Sequence, residues 1–247
     1  MTTAIKTLVM VPQADESAPL LTALSALGHE QSVRRIGQLD VAFVAALELA
    51  VAVGGHGKVQ LAVQTQHLLD LLPPVQTVVC AGAAGSLSAT ARWGDVVVGS
   101  CSVEHDYKLR FVAEPLPVHR ADPSVVQEIL AVTSDWPGGF SILSGPIASG
   151  DEDVIDSARA CDLRAETGAL CVAWEGAGAA RAATFSGRRF VELRVITDAA
   201  DAAAAADFHA SLEEVIPHLA DVLATWAGAN RGLTSASADL PKLPAPH

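Results

Sequence analysis

Residues 190–196 are a largely apolar run that breaks off at Thr197-Asp198-Ala199-Ala200-Asp201. Such a run, ending in an acid beside small residues, reads as a buried strand of an α/β protein. The carboxyl edge of that kind of sheet is where ligands bind. Trp174-Glu175-Gly176-Ala177 repeats the arrangement after the apolar Cys171-Val172-Ala173. Asp198 and Glu175 are therefore candidates for proton transfer and for holding a polar substrate. An aspartate directly after a strand also reads as the N-cap of the next helix.

Further strand-like runs lie at residues 7–11, 41–53, 75–80, 95–100, 140–148 and 170–173. They alternate with segments of helical spacing or propensity at 18–27, 58–72, 123–132, 157–166, 175–185 and 211–226. Strands alternating with helices predict an α/β fold with a mostly parallel sheet covered on both faces. Half of the 247 residues are hydrophobic, enough for one large domain over residues 1–227. Residues 228–247, rich in Ala, Ser and Pro, read as a mobile tail or as a cover for a neighbouring subunit.

The net charge of −12 disfavours nonspecific binding to nucleic acid or to an anionic membrane. No apolar stretch reaches the length of a membrane span, and the N-terminus carries no signal-peptide pattern. Cys80, Cys101, Cys161 and Cys171 lack C-x-x-C spacing and read as buried small hydrophobes in a reducing compartment. The expectation is a soluble cytoplasmic protein with neither nucleic-acid nor membrane partners.

Unusual residues gather in four loops that follow strands: 12–17, 81–86, 149–154 and 198–201. Gly82 and Gly85 let the backbone approach a ligand closely, or simply permit a tight turn. Gly82-Ala83-Ala84-Gly85 lacks the dinucleotide spacing and there is no P-loop lysine, so no cofactor is expected. His105-Asp106 has no further ligand at helical or hairpin spacing, so no metal is expected either. His56, between glycines, reads as an ordinary turn histidine or as one that touches a ligand, and His209 as a surface histidine or as one that approaches the ligand. Residues 202–206, directly after the 198–201 segment, read as helix.

The ordered series is more specific than its parts. It runs Gly55-His56-Gly57-Lys58-Val59, Ala81-Gly82-Ala83-Ala84-Gly85-Ser86-Leu87, Gly94-Asp95-Val96-Val97-Val98 and His105-Asp106. It continues with Ser149-Gly150-Asp151, Trp174-Glu175-Gly176-Ala177 and Arg194 through Asp201. The chain resembles the purine nucleoside phosphorylase and nucleosidase superfamily, in particular its 5′-methylthioadenosine/S-adenosylhomocysteine nucleosidase branch, over residues 5–226. The resemblance implies a three-layer fold with a mixed, twisted central sheet flanked by helices, and cleavage of a nucleoside N-glycosidic bond. It makes Asp198 the acid that protonates or hydrogen-bonds N7 of the departing purine, and Glu175 the carboxylate that binds the ribose hydroxyls. It places Trp174 against the ribose, Val154 at the purine edge through its backbone, and Arg194 in support of the site. Residues 202–206 become a lid over the substrate, His105-Asp106 a structural or partner-facing pair, and the assembly a homodimer.

Departures from the family pattern matter as much. The nucleosidases carry a water-activating glutamate after the first strand; gap-free alignment puts Ser17 there, and a shift of one residue puts Glu16 there. Asp15 and Glu16 read equally well as caps of the first helix. Asp153 replaces the aromatic that stacks on the purine. Ala83, beside Gly82 in the substrate-binding segment, replaces a hydroxyl, and Ala173 replaces an acid of the Val-Glu-Met-Glu pattern. No arginine lies in residues 11–16 or 82–86 to hold phosphate, which favours water as the nucleophile. The expected activity is therefore nucleoside hydrolysis, with phosphorolysis, or a nucleoside-binding protein that lost catalysis, as the alternatives.

Overall fold

The computed structural model describes residues 4–112 and 114–238. Ten strands form one sheet: β1 (Thr7–Val11), β2 (Ser32–Ile36), β3 (Leu39–Val44), β4 (Leu49–Val53), β5 (Thr77–Ser86), β6 (Val96–Glu104), β7 (Val118–Arg120), β8 (Ile142–Ser149), β9 (Cys171–Ala173) and β10 (Arg189–Asp198). The helices are α1 (Ala14–Ala26), α2 (Lys58–Leu71), α3 (Pro123–Val132), α4 (Ser157–Thr167), α5 (Gly176–Phe185) and α6 (Ala204–Ala238).

The sheet has an open wing and a closed end. The wing runs β2-β3-β4-β1-β5, and from β5 the order β10-β6-β8-β9 returns to β5. One buried residue or more from each strand of this ring meets inside it: Ala84, Val97, Ile147, Cys171, Ala173 and Ile196. Among the described residues half of the ten strand pairings are parallel and half antiparallel. Strand–helix alternation alone predicted a mostly parallel sheet; the mixed sheet is the one the family resemblance implied. The difference arises in the hairpin connections β2–β3–β4 and in β6, which runs against β10. β2 went unforeseen because its Ser-Val-Arg-Arg-Ile sequence is exposed and charged, as suits an edge strand.

Period-2 alternation buries both faces of the central strands. Val9 and Val11 of β1 join Leu20 and Leu24 of α1, Val125 and Ile129 of α3 and the apolar stripe of α6. Leu8 and Met10 face the other way, onto Leu61 and Leu68 of α2 and the alanines of α5. Strands buried on both sides carry such continuous apolar runs.

Two local departures position the site. Residues 81–86 are not a loop: β5 continues through them. Along Thr77–Cys80, β5 lies between β1 and β10; at Gly85–Ser86 the β1 side is taken by β9. Between those two partners one edge of β5 is open to side chains. In β10 the register with β5 slips between Ile196 and Asp198, leaving Thr197 as an extra residue. A bulge of this kind re-aims the residue beside it. α6 runs past Gly228 to Ala238, so the expected tail begins as helix; residues 239–247 lie outside the described ones. Of the cysteines, Cys80 and Cys171 are buried, Cys101 is half-buried, and Cys161 is exposed on α4, contrary to the expectation of burial for all four. Among the described residues no helix is long and apolar enough to cross a membrane.

Candidate active site

The open edge of β5 forms the floor of a cleft of about 470 Å³, within the ~300–1,000 Å³ typical of small-molecule sites. Ala83, Ala84 and Gly85 line it, together with Glu16, His56, Asp153, Val154, Trp174, Glu175, Arg194, Thr197, Asp198, Phe208 and His209. Of the expected site residues, only Gly82 is not itself at the cleft surface. A Cβ on Gly82 would stand 2.6 Å from Glu16 Oε1 and 2.9 Å from Arg194 Nη1. Its lack of a side chain makes room for those two groups.

Glu16 is at once a helix cap and a cleft residue. Oε2 accepts the Gln13 N–H at 3.0 Å, the reach-back of a capping box, and Oε1 accepts the Ala83 N–H at 2.7 Å. It is Glu16, not Ser17, whose side chain lines the cleft. Burial pushes its carboxyl up to about 7, although both backbone bonds and the charge of Arg194 pull it down; the charge of Glu175 adds to the rise. Ala83 has no hydroxyl to offer, but both its backbone groups are engaged, its carbonyl accepting from Arg194 Nη1 at 3.2 Å.

Arg194 is 1 % exposed and lies between the carboxylates. Its Nε donates to Glu192 Oε1 at 2.8 Å and its Nη2 to Glu175 Oε2 at 3.3 Å. Glu175, at the start of α5, also accepts the Gly57 N–H at 3.2 Å. The ring of Trp174 meets His56 edge-on, centroids 4.2 Å apart. His56 is thus a wall of the cleft and not an ordinary turn histidine.

Asp198 occupies another part of the cleft, beside Gly85. It accepts the Ala200 N–H at 2.9 Å and the Thr197 hydroxyl at 2.8 Å. The first bond closes a local turn; α6 starts only at Ala204, so Asp198 is not its N-cap. Burial holds the Asp198 carboxyl above the usual range despite those two bonds, and the charges of Asp207 and Asp201 act in the same sense. Val154 is buried in the cleft wall, whereas Asp153 is exposed at its rim. Phe208 is half-buried and supplies an aromatic wall from α6; sequence reasoning missed it, though the pair Phe208-His209 follows the 198–201 segment closely.

His105 and Asp106 brace the cleft from behind. Asp106 accepts from the Lys58 ammonium and from the Asp151 N–H, while Asp151 accepts the Lys58 N–H at 2.9 Å. Asp106 thereby ties the Gly55–Lys58 turn to the 149–154 loop. Among the described residues no group of three or more His, Cys, Asp or Glu is placed to hold a metal ion.

A sheet closed at one end, with buried acids at its carboxyl edge, defines a nucleoside-phosphorylase-like α/β protein. The family model of the phosphorylase superfamily matches residues 9–226, and the chain belongs to that superfamily. Within it, a 5′-methylthioadenosine/S-adenosylhomocysteine nucleosidase of Thermotoga maritima is 30% identical over 183 residues, 74% of this chain and 80% of the relative. The crystal structure of a Helicobacter pylori nucleosidase of that name with butyl-thio-DADMe-Immucillin-A superposes with a TM-score of 0.80 at 26% identity, covering 91% of this chain and 98% of the other. Futalosine hydrolase of Helicobacter pylori superposes equally, TM-score 0.80 at 26% identity, covering 92% and 98%.

Proposed function

We propose that this chain is a nucleosidase that hydrolyses the N-glycosidic bond of a purine nucleoside, releasing free base and a ribosyl product. The observation that carries this reading is one cleft holding two carboxyls, Glu16 and Asp198, both raised above the ordinary range by burial. Groups tuned in this way suit proton transfer near neutral pH. Glu16 is fixed at Ala83 and Asp198 packs at Gly85, two residues along one strand, or about 7 Å. That spacing of their anchor points suits a nucleoside laid between them.

In this reading, protonated Asp198 delivers its proton to N7 as the C1′–N9 bond breaks and its electron pair passes to the base. Glu175 accepts the ribose hydroxyls and steadies the positive charge growing on the sugar. Glu16, ionised, takes a proton from water as the water oxygen bonds to C1′. Solvent then returns a proton to Asp198 and accepts one from Glu16. Trp174, Phe208 and Val154 supply apolar walls for ribose and base.

Water as nucleophile is supported by charge. The cleft is lined by Glu16, Glu152, Asp153, Glu175 and Asp198, against a single guanidinium, Arg194, already bonded to two carboxylates. Phosphate entering there would meet repulsion from the ionised carboxylates, and among the described lining residues no guanidinium is free to pair it. The nucleosidase relatives point to 5′-thio-substituted adenosines as first substrates, and Asp153 at the rim makes 6-oxopurine nucleosides the second set. We also propose a cytoplasmic homodimer: the four free cysteines suit a reducing compartment, and Tyr107, Leu109, Phe111 and Val112 form an exposed apolar segment. Chromatography of a nucleoside panel after incubation with the purified chain tests the activity. Free base from at least one purine nucleoside is expected, and binding without base release from any would overturn the reading.

A further inference from the structure

Glu192 has no place in the chemistry above, yet it is fully buried and touches the site from below. Its side chain shares the β10 face with Arg194, two residues on. Oε1 takes the Arg194 Nε–H at 2.8 Å, and Oε2 takes the Ser102 hydroxyl of β6. A buried carboxylate is costly unless it is paired and hydrogen-bonded; here Arg194 supplies the cation, shared with Glu175, and each carboxylate oxygen accepts one hydrogen bond.

The surroundings are shaped for it. A Cβ on Gly176 would stand 2.0 Å from Glu192 Oε2, and one on Gly99 would stand 3.2 Å from its Cβ. Gly176 is the residue directly after Glu175. Glu192 therefore supports Glu175 in two ways, through the Arg194 guanidinium and through the backbone that carries it. With Nε held by Glu192, the plane of the guanidinium is fixed. Its Nη1 and Nη2 then reach the Ala83 carbonyl and Glu175. Ala83 is in turn the residue whose N–H binds Glu16.

We propose that Glu192, tethered by Ser102, is a positioning residue of the nucleosidase site: it orients Arg194 and sets how much of that positive charge Glu16 and Glu175 feel. The inference rests on the nucleosidase reading for its catalytic consequence, but its electrostatic consequence is readable without substrate. The groups that face Glu16 are Arg194 from β10, Glu175 from the start of α5, the buried Cys80 thiol of β5, which also accepts from Arg194 Nη2 at 3.4 Å, and the N–H groups of Ala83 and Gln13. Removing the charge of Glu192 leaves Arg194 less offset, so ionised Glu16 gains stability and its midpoint falls. Removing only the Ser102 hydroxyl takes away the donor that disperses charge on Oε2, so more of the Glu192 charge falls on Arg194, the guanidinium is offset more, and the midpoint rises. The two variants should move Glu16 in opposite directions.

The test is a carbon-13 carboxyl NMR titration of Glu16 in the full chain, as wild type, Glu192→Gln and Ser102→Ala, with turnover measured in parallel. The expected midpoint is about 7 in the wild type, lower by half a unit or more in Glu192→Gln, and higher in Ser102→Ala. On an active nucleoside, kcat of Glu192→Gln should fall at least tenfold with a smaller change in KM, and Glu192→Asp should restore the wild-type midpoint. A folded Glu192→Gln protein with an unmoved midpoint overturns the proposal. If that variant is too unstable to titrate, an unmoved midpoint in Ser102→Ala overturns it. Absence of turnover by the wild type would count against the nucleosidase reading and leave the titration result standing.

Discussion

Glu16 has two structural bonds and, in the proposed mechanism, a chemical part as well. Its bond to Gln13 N–H caps α1 and its bond to Ala83 N–H fastens that helix to β5. The same burial that makes those bonds useful raises its carboxyl to about 7. The sign follows directly: as a base Glu16 must be ionised, so kcat/KM should rise with pH through about 7. As a buried acid it favours the folded state when protonated, so its contribution to stability fades as pH climbs from 4.5 through about 7. Glu16→Gln should remove the pH 7 limb and lower kcat by roughly 10²–10⁴, the usual worth of a general base; a retained limb would exonerate Glu16. Asp198→Asn should abolish turnover, with a thermal midpoint within a few degrees of the wild type. Near-normal activity in that variant would refute the acid assignment. At this scale much of the cleft lining was legible. Asp198 and Glu175 stand out because an acid at the end of an apolar run has few other reasons to be there. The choice between Glu16 and Ser17 was not legible, since a one-residue shift along a helix turns a side chain by about 100° and only the fold decides which one faces the cleft.

Elements were legible in proportion to their apolar periodicity. β1, α2, α3, α4 and β10 fall close to where the apolar runs and helical spacing put them. β5 was cut short at Cys80 because Gly and Ala read as a turn, whereas here their small size lets the strand pass beneath the Glu16–Arg194 pair and beside Asp198. α6 contributes both to stability and to the cleft. Trp226 on it is 2 % exposed and its indole donates to Glu128 Oε2 at 3.2 Å, tying α6 to α3. Trp226→Ala should cost about 3–5 kcal/mol in denaturant unfolding; a loss under 1 kcal/mol would show that this contact does not hold the layer. At the other end, Phe208 is a cleft wall on the first turns of the helix, just beyond the stretch expected to close over substrate. Phe208→Ala should raise KM several-fold with little change in thermal stability, and an unchanged KM would remove Phe208 from the substrate contacts.

The whole molecule joins an open sheet wing to a closed strand ring, and the cleft sits where β5 passes from one to the other. That junction explains why short-range pattern missed the topology: ring closure depends on β9, three residues long, pairing with both β5 and β8. The proposed homodimer belongs to this scale too. Phe111, fully exposed in a single chain, lies in an apolar stretch with Tyr107, Leu109 and Val112. Light scattering should give twice the 25.5 kDa chain mass, and Phe111→Asp should shift it toward the monomer; a wild-type monomer would refute the dimer. The central claim is that an acid-lined cleft uses water to release a purine. It is tested most directly by measuring base release from an active nucleoside with and without inorganic phosphate and identifying the sugar product. Equal rates and a free ribosyl product are expected; release that requires phosphate and yields the sugar 1-phosphate would rule out hydrolysis.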